Sequence, residues 1–322
     1  MVERKWVKKF IKLCSRFNTR DFGKAIKLKD ARMPTKLYQY RSINTLDNPE
    51  RLNWILEVIK TGKLFCSSNA DLNDPLDLQS ILSSNHASTY IESIASAAGD
   101  RNIASTYHAI KFLTPFFKWR WKKDGLSSEE IAAFDTSIND IVMTWTEDLQ
   151  AQHSDLLDVA RIVCFTEKHD NLPMWWFYAD ERRGLCLEFD VSELSITDKM
   201  FIFPVNYTCK LFDAVEVVHR YDEKRIKNLS TDARDFFALL YSCILPCTHK
   251  LLDWSYESEW RYVMVNQDFF EFVKPKKIIL GDKIDVVKEK IILDTADVLN
   301  TAVSKMKITK YGFQEDTLIL PT

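Results

Sequence analysis

The sequence predicts an α+β protein organised around a mostly antiparallel sheet. Short alternating runs rich in aromatic and β-branched residues occur early (36–41, 63–68) and late (161–166, 184–190, 201–207, 254–264, 277–281) in the chain, and such runs read as strands. Helical patterns fall between them without strict β–α–β alternation, the arrangement of an α+β fold rather than a parallel doubly wound one.

Taken in order, residues 3–17 form an amphipathic helix: Trp6, Val7, Phe10, Ile11, Cys14 and Phe17 recur at helical spacing, and Arg4, Lys5, Lys8, Lys9, Lys12 and Arg16 fill the opposite side. This basic amphipathic helix defines an N-terminal segment over 1–30, and the remainder, 31–322, reads as one α+β domain. The basic side suits nucleic acid through residues 4–20 or a membrane surface, or it is the solvated face of a helix docked on the domain. The run 50–61 reads as a helix stopped by Gly62. The polar turn Asn73-Asp74-Pro75 follows the strand at 63–68, and from about 85 to 158 the pattern is helical throughout, an insertion within the domain. Further helices are predicted at 230–249 and 284–304, with short strands at 307–311 and 317–320.

Composition excludes several classes. The chain has 322 residues with only seven glycines, and neither G-x-G-x-x-G nor G-x-x-x-x-G-K-[ST] occurs. A net charge of −2 gives no bulk attraction for polyanions, so nucleic acid would need a local patch. The seven cysteines are dispersed without a C-x-x-C pair, which argues for reduced thiols in the cytoplasm rather than a disulfide framework or zinc ribbon. The N-terminus lacks an apolar signal region and no apolar stretch reaches the roughly 20 residues of a membrane span. Neither His169 nor His249 has metal-ligand spacing with another His or Cys, so no metal is expected.

Glu257, Glu259 and Arg261 are spaced two apart, which on a strand puts all three on one side. Two carboxylates so placed raise one pKa, as active sites do, or they form a charge ladder with Arg261 and a lysine. Arg41 ends an aromatic strand and suits bidentate capture of a phosphate or carboxylate, or an ion pair with Glu257 or Glu259. Asn73 and Asp74 make a structural Asx-turn or a ligand-contacting loop. In Met174-Trp175-Trp176-Phe177-Tyr178 the helical spacing suits core packing, with Met174, Phe177 and Tyr178 mostly core; the alternative places Trp175 and Tyr178 at a cleft, offering faces to a flat ring.

Four segments together resemble a known family: Tyr38-x-Tyr40-Arg41-Ser42; Leu64-Phe65-x-Ser67 leading to Asn73-Asp74-Pro75-Leu76-Asp77; Phe165-Thr166 with Met174-Trp175-x-x-Tyr178 and Gly184-Leu185-Cys186-Leu187-Glu188-Phe189-Asp190; and Trp254-x-Tyr256-Glu257-x-Glu259-Trp260-Arg261. In that order they resemble the bacterial domain of unknown function 2971 family over about 34–282. Phe177 stands where that pattern has His, and Leu76 where it has Phe.

The order of elements is also similar to the ADP-ribosyltransferase superfamily, which implies a split antiparallel sheet holding NAD in a cleft. On that resemblance Arg41 anchors the NAD ribose or phosphate, Tyr178 or Trp175 stacks on nicotinamide, and Glu259 stabilises the oxocarbenium-like transition state. Glu257 or Asp74 orients the acceptor. The implied catalytic set is Glu259, Glu257, Arg41 and Tyr178. The implied cofactor-binding set is Tyr40, Ser67, Asn73, Asp74, Trp175 and Arg261. The partner would be an unknown macromolecular acceptor, with a homo-oligomer or cognate regulator also compatible, in a toxin-like or phage-defence effector. The other readings are a non-catalytic ligand-binding or regulatory module of a bacterial defence system, in which Arg41, Glu257, Glu259 and Arg261 form a buried ionic network, and a nucleic-acid-targeting effector.

Overall fold

The computed structural model describes residues 4–14, 16, 19–43, 50–78, 80–81, 127–129, 132, 159–213 and 244–316. The helical insertion predicted over 85–158 falls outside these residues apart from 127–129 and 132. The strand expected at 317–320 and most of the helix expected at 230–249 fall outside them too.

The fold is α+β, as the pattern of elements predicts. Its centre is an eight-stranded, mostly antiparallel sheet in the order β14-β13-β12-β5-β1-β4-β10-β6. These strands are β1 (Lys36–Arg41), β4 (Ala160–Thr166), β5 (Leu185–Asp190), β6 (Ile202–Pro204), β10 (Glu259–Val265), β12 (Lys277–Leu280), β13 (Ala302–Thr309) and β14 (Gly312–Glu315). Within this sheet the parallel pair is β12–β13, joined by a crossover through helix α6 (Val286–Val298); the short helix α5 (Ile196–Met200) precedes β6. Two-stranded ladders pair β2 (Lys63–Phe65) with β11 (Phe269–Glu271), β3 (Ser80–Ile81) with β8 (Phe212–Asp213), and β7 (Asn206–Thr208) with β9 (His249–Leu251).

Strand alternation sorts the core. One face carries Leu37, Phe165, Leu187, Trp260 and Ile278, packed under helix α3 (Arg51–Thr61) through Ile55, Val58 and Ile59, and under α6 through Ile292 and Ala296. The second face holds two separate apolar clusters. In one, Ile162, Phe203 and Val263 meet Phe10 and Leu13 of α1 (Lys5–Cys14) and Ala25 of α2 (Thr19–Asp30). In the other, Tyr38, Tyr40, Cys186 and Ile279 meet Met174 and Trp175 of α4 (Leu172–Phe177). By the strand register, Cys164, Thr166, Glu259 and Arg261 lie between these two clusters.

Four expectations are corrected. The N-terminal segment is two helices rather than one. The helix expected to reach 249 gives way to a 3-10 turn, Pro246–Thr248, and then to β9, because Pro246 lacks the N–H that a continuing helix needs. The helix expected over 284–304 ends at Val298, and 302–304 already belong to β13. The strand pattern at 254–264 divides: Leu252–Glu257 is a 3-10 segment, Ser258 turns the chain with φ +50°, and the strand begins at Glu259. The helix α3 stops at Gly62, whose φ of +79° suits a residue without Cβ.

Between α4 and β5, Asp180, Glu181 and Arg182 all have positive φ. This left-handed turn is held by Glu181 N–H to Trp176 O at 3.0 Å and Gly184 N–H to Ala179 O at 2.8 Å. A Cβ on Gly184 would meet Arg41 O at 2.2 Å. Gly184→Ala is therefore expected to destabilise by about 3 kcal/mol, seen as a lower midpoint in denaturant unfolding; an unchanged midpoint would show that β1 and the turn can separate freely.

Candidate functional site

The gap between the two apolar clusters is filled by ionised groups. Arg261 is fully buried (0% exposed), with Asp77 at 2%, Glu257 at 2%, Glu259 at 4% and Lys250 at 8%. Burying charge is costly unless each group is paired and its hydrogen bonds are satisfied. Arg261 meets that condition fully. Its Nη1 and Nη2 donate to the two Asp77 oxygens at 2.8 and 2.6 Å, Nε and Nη2 donate to the two Glu259 oxygens at 2.9 and 3.0 Å, and Nη1 donates to Cys247 O at 2.7 Å. Two forked carboxylate pairs and one carbonyl thus occupy all the guanidinium N–H groups.

Lys250 is the second cation. Its Nζ lies 2.7 Å from Glu257, 3.3 Å from Asp77 and 3.5 Å from Glu259, and 4.9 Å from the Trp254 ring centre. Three carboxylates facing two cations leave one negative charge in excess. Glu257 carries the consequence: burial first, then the Glu259 charge, push its carboxyl up to about 7. Glu259 moves the other way, to about 2, because Arg261 and Lys250 outweigh its burial. The Cys164 thiol is raised well above its usual value by burial and then by Glu259, the opposite of what a nucleophile needs.

The local backbone explains how residues two apart both reach this cluster. Ser258 takes the left-handed conformation, so Glu257 approaches from the 3-10 segment and Glu259 from the strand. Leu78, beside Asp77, is also left-handed at φ +55°, and its N–H donates to Asp77 Oδ1 at 2.9 Å. Non-glycine residues at such φ cost free energy that neighbouring structure must offset, and here they flank the carboxylates that hold Lys250 and Arg261.

The network reaches towards solvent at Glu257. The Tyr178 hydroxyl donates to Glu257 Oε1 at 2.6 Å. Tyr178, Tyr256 and Trp254 are half-buried, and Asn171 Nδ2 donates to Tyr256 O, joining α4 to the 3-10 segment. Beside them on α4, Leu172, Trp176 and Phe177 are exposed, Phe177 by 63%.

The sequence-predicted residues separate into groups. Glu257, Glu259, Arg261 and Tyr178 come together. Arg41 does not join them. It pairs with Leu185 on the face covered by α3, whereas Tyr38, Thr166 and Glu259 are linked by register on the other. Burial and the nearby Arg51 charge lower the Arg41 pKa to about 10. Trp175, expected at a cleft, is fully buried, with its indole N–H donating to His169 O at 2.7 Å. Tyr40 is core too, edge-on to Trp175 with ring centres 5.2 Å apart. Ser67 bridges Ile162, four residues along β4 from the Thr166 that faces Glu259. Asn73 is exposed, and Asp74 makes the Asx-turn, accepting from Leu76 N–H at 2.9 Å. Asp77 and Lys250 were not among the predicted site residues. Asp77 stood within the second motif and had that signal; Lys250 had none.

Among the described residues, no group of His, Cys, Asp or Glu is arranged to hold a metal ion, and no helix is long and apolar enough to cross a membrane. Residues 174–262 match the model of the family described as Protein of unknown function (DUF2971), which supports the family resemblance over that stretch. The matched stretch contains Tyr178, Lys250, Glu257, Glu259 and Arg261, while Asp77 and Arg41 lie outside it. No curated protein and no solved structure matches the chain.

Two outcomes follow. Arg261→Met is expected to cost about 3–5 kcal/mol, because it leaves Asp77 and Glu259 buried with one cation fewer; denaturant unfolding measures this. The raised Glu257 pKa means the folded state binds that proton more tightly than the unfolded chain does. Stability from this group is therefore lost as pH rises from about 4.5 to about 7. Over nearly the same range, from about 6.5 down to about 4, the lowered pKa of His249 costs stability as the pH falls. Relative to wild type, Glu257→Gln should gain in melting temperature between pH 5 and pH 8; a constant difference would mean that Glu257 does not titrate there.

Proposed function

We propose that this chain is a ligand-binding regulatory module. Its recognition surface is the rim formed by Tyr178, Trp254 and Tyr256, and its response element is the buried ionic network beneath. The observation that carries this reading is the 2.6 Å hydrogen bond from the Tyr178 hydroxyl to Glu257, which links a half-buried aromatic to a carboxylate whose charge is poised near neutral pH. Aromatic faces over a carboxylate favour a flat ring bearing a hydrogen-bond donor or a positive charge. A ligand that takes over the Tyr178 bond leaves Glu257 to Lys250 alone and so alters how α4 is held to the 252–257 segment. A role in bacterial defence is the biological setting this reading keeps.

The second reading is NAD-dependent ADP-ribosyl transfer to a macromolecular acceptor, and the raised Glu257 pKa beside Tyr178 favours it. In that case Glu257 would be the carboxylate that meets the ribose, since both Glu259 oxygens are engaged by Arg261. Arg41 would take no part in the same pocket.

Thermal melting separates the readings. The purified chain with excess NAD is expected to melt as it does alone, whereas a panel of aromatic amines should contain a compound that raises the midpoint in wild type and fails to do so in Tyr178→Phe. Stabilisation of about 2.7 kcal/mol corresponds to a ligand at a hundred times its Kd. An NAD-induced rise that Glu257→Gln abolishes would overturn the first reading in favour of the second, and the release of nicotinamide would then be measured directly.

A further inference from the structure

Charge is distributed very unevenly along this chain. Residues 1–32 hold eleven Lys and Arg against three Asp and Glu, a balance of +8; the whole chain is −2, so the remainder carries −10. The near-neutral total conceals a basic end and an acidic body.

The structure shows where the basic residues go. In α1 the apolar side is consumed by the core: Val7, Phe10, Leu13 and Cys14 are buried, with Phe10 against Phe203 and Trp6 against Trp260. Lys5, Lys9 and Lys12 stand on the opposite side and are exposed, followed by Arg16. In α2, Ala25 and Lys29 face inward, and Arg20, Lys24 and Lys27 face outward and are exposed. Both outward rows have the four-then-three spacing that aligns side chains along one helical face. Lys29 is the inward exception: it donates to Lys199 O, over the Phe203 ring, and its pKa is lowered by burial. Lys24 and Arg16 share Asp21, at 2.8 and 3.3 Å. Lys5, Lys9, Lys12, Arg20 and Lys27 make no ion pair with any described residue.

We propose that the outer face of the α1–α2 pair binds the phosphate backbone of double-stranded nucleic acid without reading its sequence. Three features select this partner. First, a four-residue helical step advances about 6 Å, and each strand of a duplex presents a phosphate about every 3.4 Å of axis, so each row meets several phosphates. Second, no large apolar side chain is exposed among the described residues of 4–32. A membrane-surface helix needs a free apolar face to insert, and this one has spent its apolar face on the protein core. Third, among the described residues of 4–32 no aromatic ring is exposed beside the two rows, so these residues offer no stacking platform of the kind that favours single strands. The net charge of −10 on the rest of the chain disfavours phosphate there, which biases the duplex towards this end.

The test uses the full chain and fluorescence anisotropy with a mixed-sequence DNA duplex, its single strand, and vesicles of phosphatidylcholine with phosphatidylserine. Duplex affinity is expected to fall steeply between about 50 and 200 mM salt, with a slope of log K against log salt of about −0.9 per phosphate contacted. The triple variant Lys5→Gln, Lys9→Gln, Lys12→Gln alters exposed residues only, and its melting temperature confirms that it folds. Its slope should be shallower by about 2.7, with an equal loss for an unrelated duplex sequence. The proposal is overturned by the absence of duplex binding at the lowest salt, by a slope unchanged in the triple variant, by tighter binding to the single strand, or by capture on anionic vesicles without the duplex. Salt-sensitive self-association in place of duplex binding would overturn it too and would assign the basic face to the acidic body of a second copy.

Discussion

The described structure depends on one guanidinium. Arg261 sits on β10, one strand in from the edge of the sheet, at zero exposure and is the meeting point of a loop carboxylate, a strand carboxylate and the Cys247 carbonyl. A charge so placed is tolerable only when every donor is met, and that requirement fixes the positions of its partners. Asp77 must be presented by a turn tight enough to put Leu78 at positive φ. Glu259 must be the first residue of β10, and Ser258 must turn the chain before it. A hydrophobic cluster would tolerate small displacements of these segments; a doubly forked guanidinium tolerates few, because hydrogen bonds weaken steeply with distance and angle. Its contribution is positional specificity more than net stability.

Around that fixed point the carboxylates divide their tasks. Glu259 is committed to Arg261 and stays ionised. Glu257 shares Lys250 with its neighbours, absorbs the surplus negative charge, and is the member joined to Tyr178 and the half-buried rim. Two acids two positions apart thus have opposite electrostatics, set by which cation each one holds. The sheet itself keeps Arg41 apart: it ends a strand that carries Tyr38 towards the network, yet the two positions are three apart, an odd step, and pleating sends them to opposite faces.

Much of the framework is legible in the sequence because its signals are local. The alternation at 36–41, 161–166 and 184–190 gives β1, β4 and β5, and Gly62 marks the end of α3. What escapes is decided by distant contacts. The Trp-Ser-Tyr-Glu-Ser-Glu run reads as strand throughout, but its first half closes into a 3-10 segment that delivers Glu257 to Lys250. Asp77 and Lys250 become partners of Arg261 only through the fold, since no spacing rule links them. Trp175 and Tyr178 are similar in the sequence. Packing beside Tyr40 buries the first, while the second, at the end of the helix, points at a carboxylate. The face that Arg41 occupies follows from strand register, which one sequence does not disclose.

Asp77 and Arg261 are separated by 184 positions along the chain. As the polypeptide emerges from the ribosome, Asp77 is made long before the group it must meet. Closing so long a loop carries an entropic cost that local contacts do not bear, and contacts of such separation form slowly. Until β10 has been synthesised, the turn at 74–78 has no guanidinium to neutralise its acid, and burying it would be penalised. The early strands therefore lack a complete core to condense upon. Final assembly waits for the late strand, and a chain truncated before Arg261 would be left with a solvated acid in place of a finished sheet.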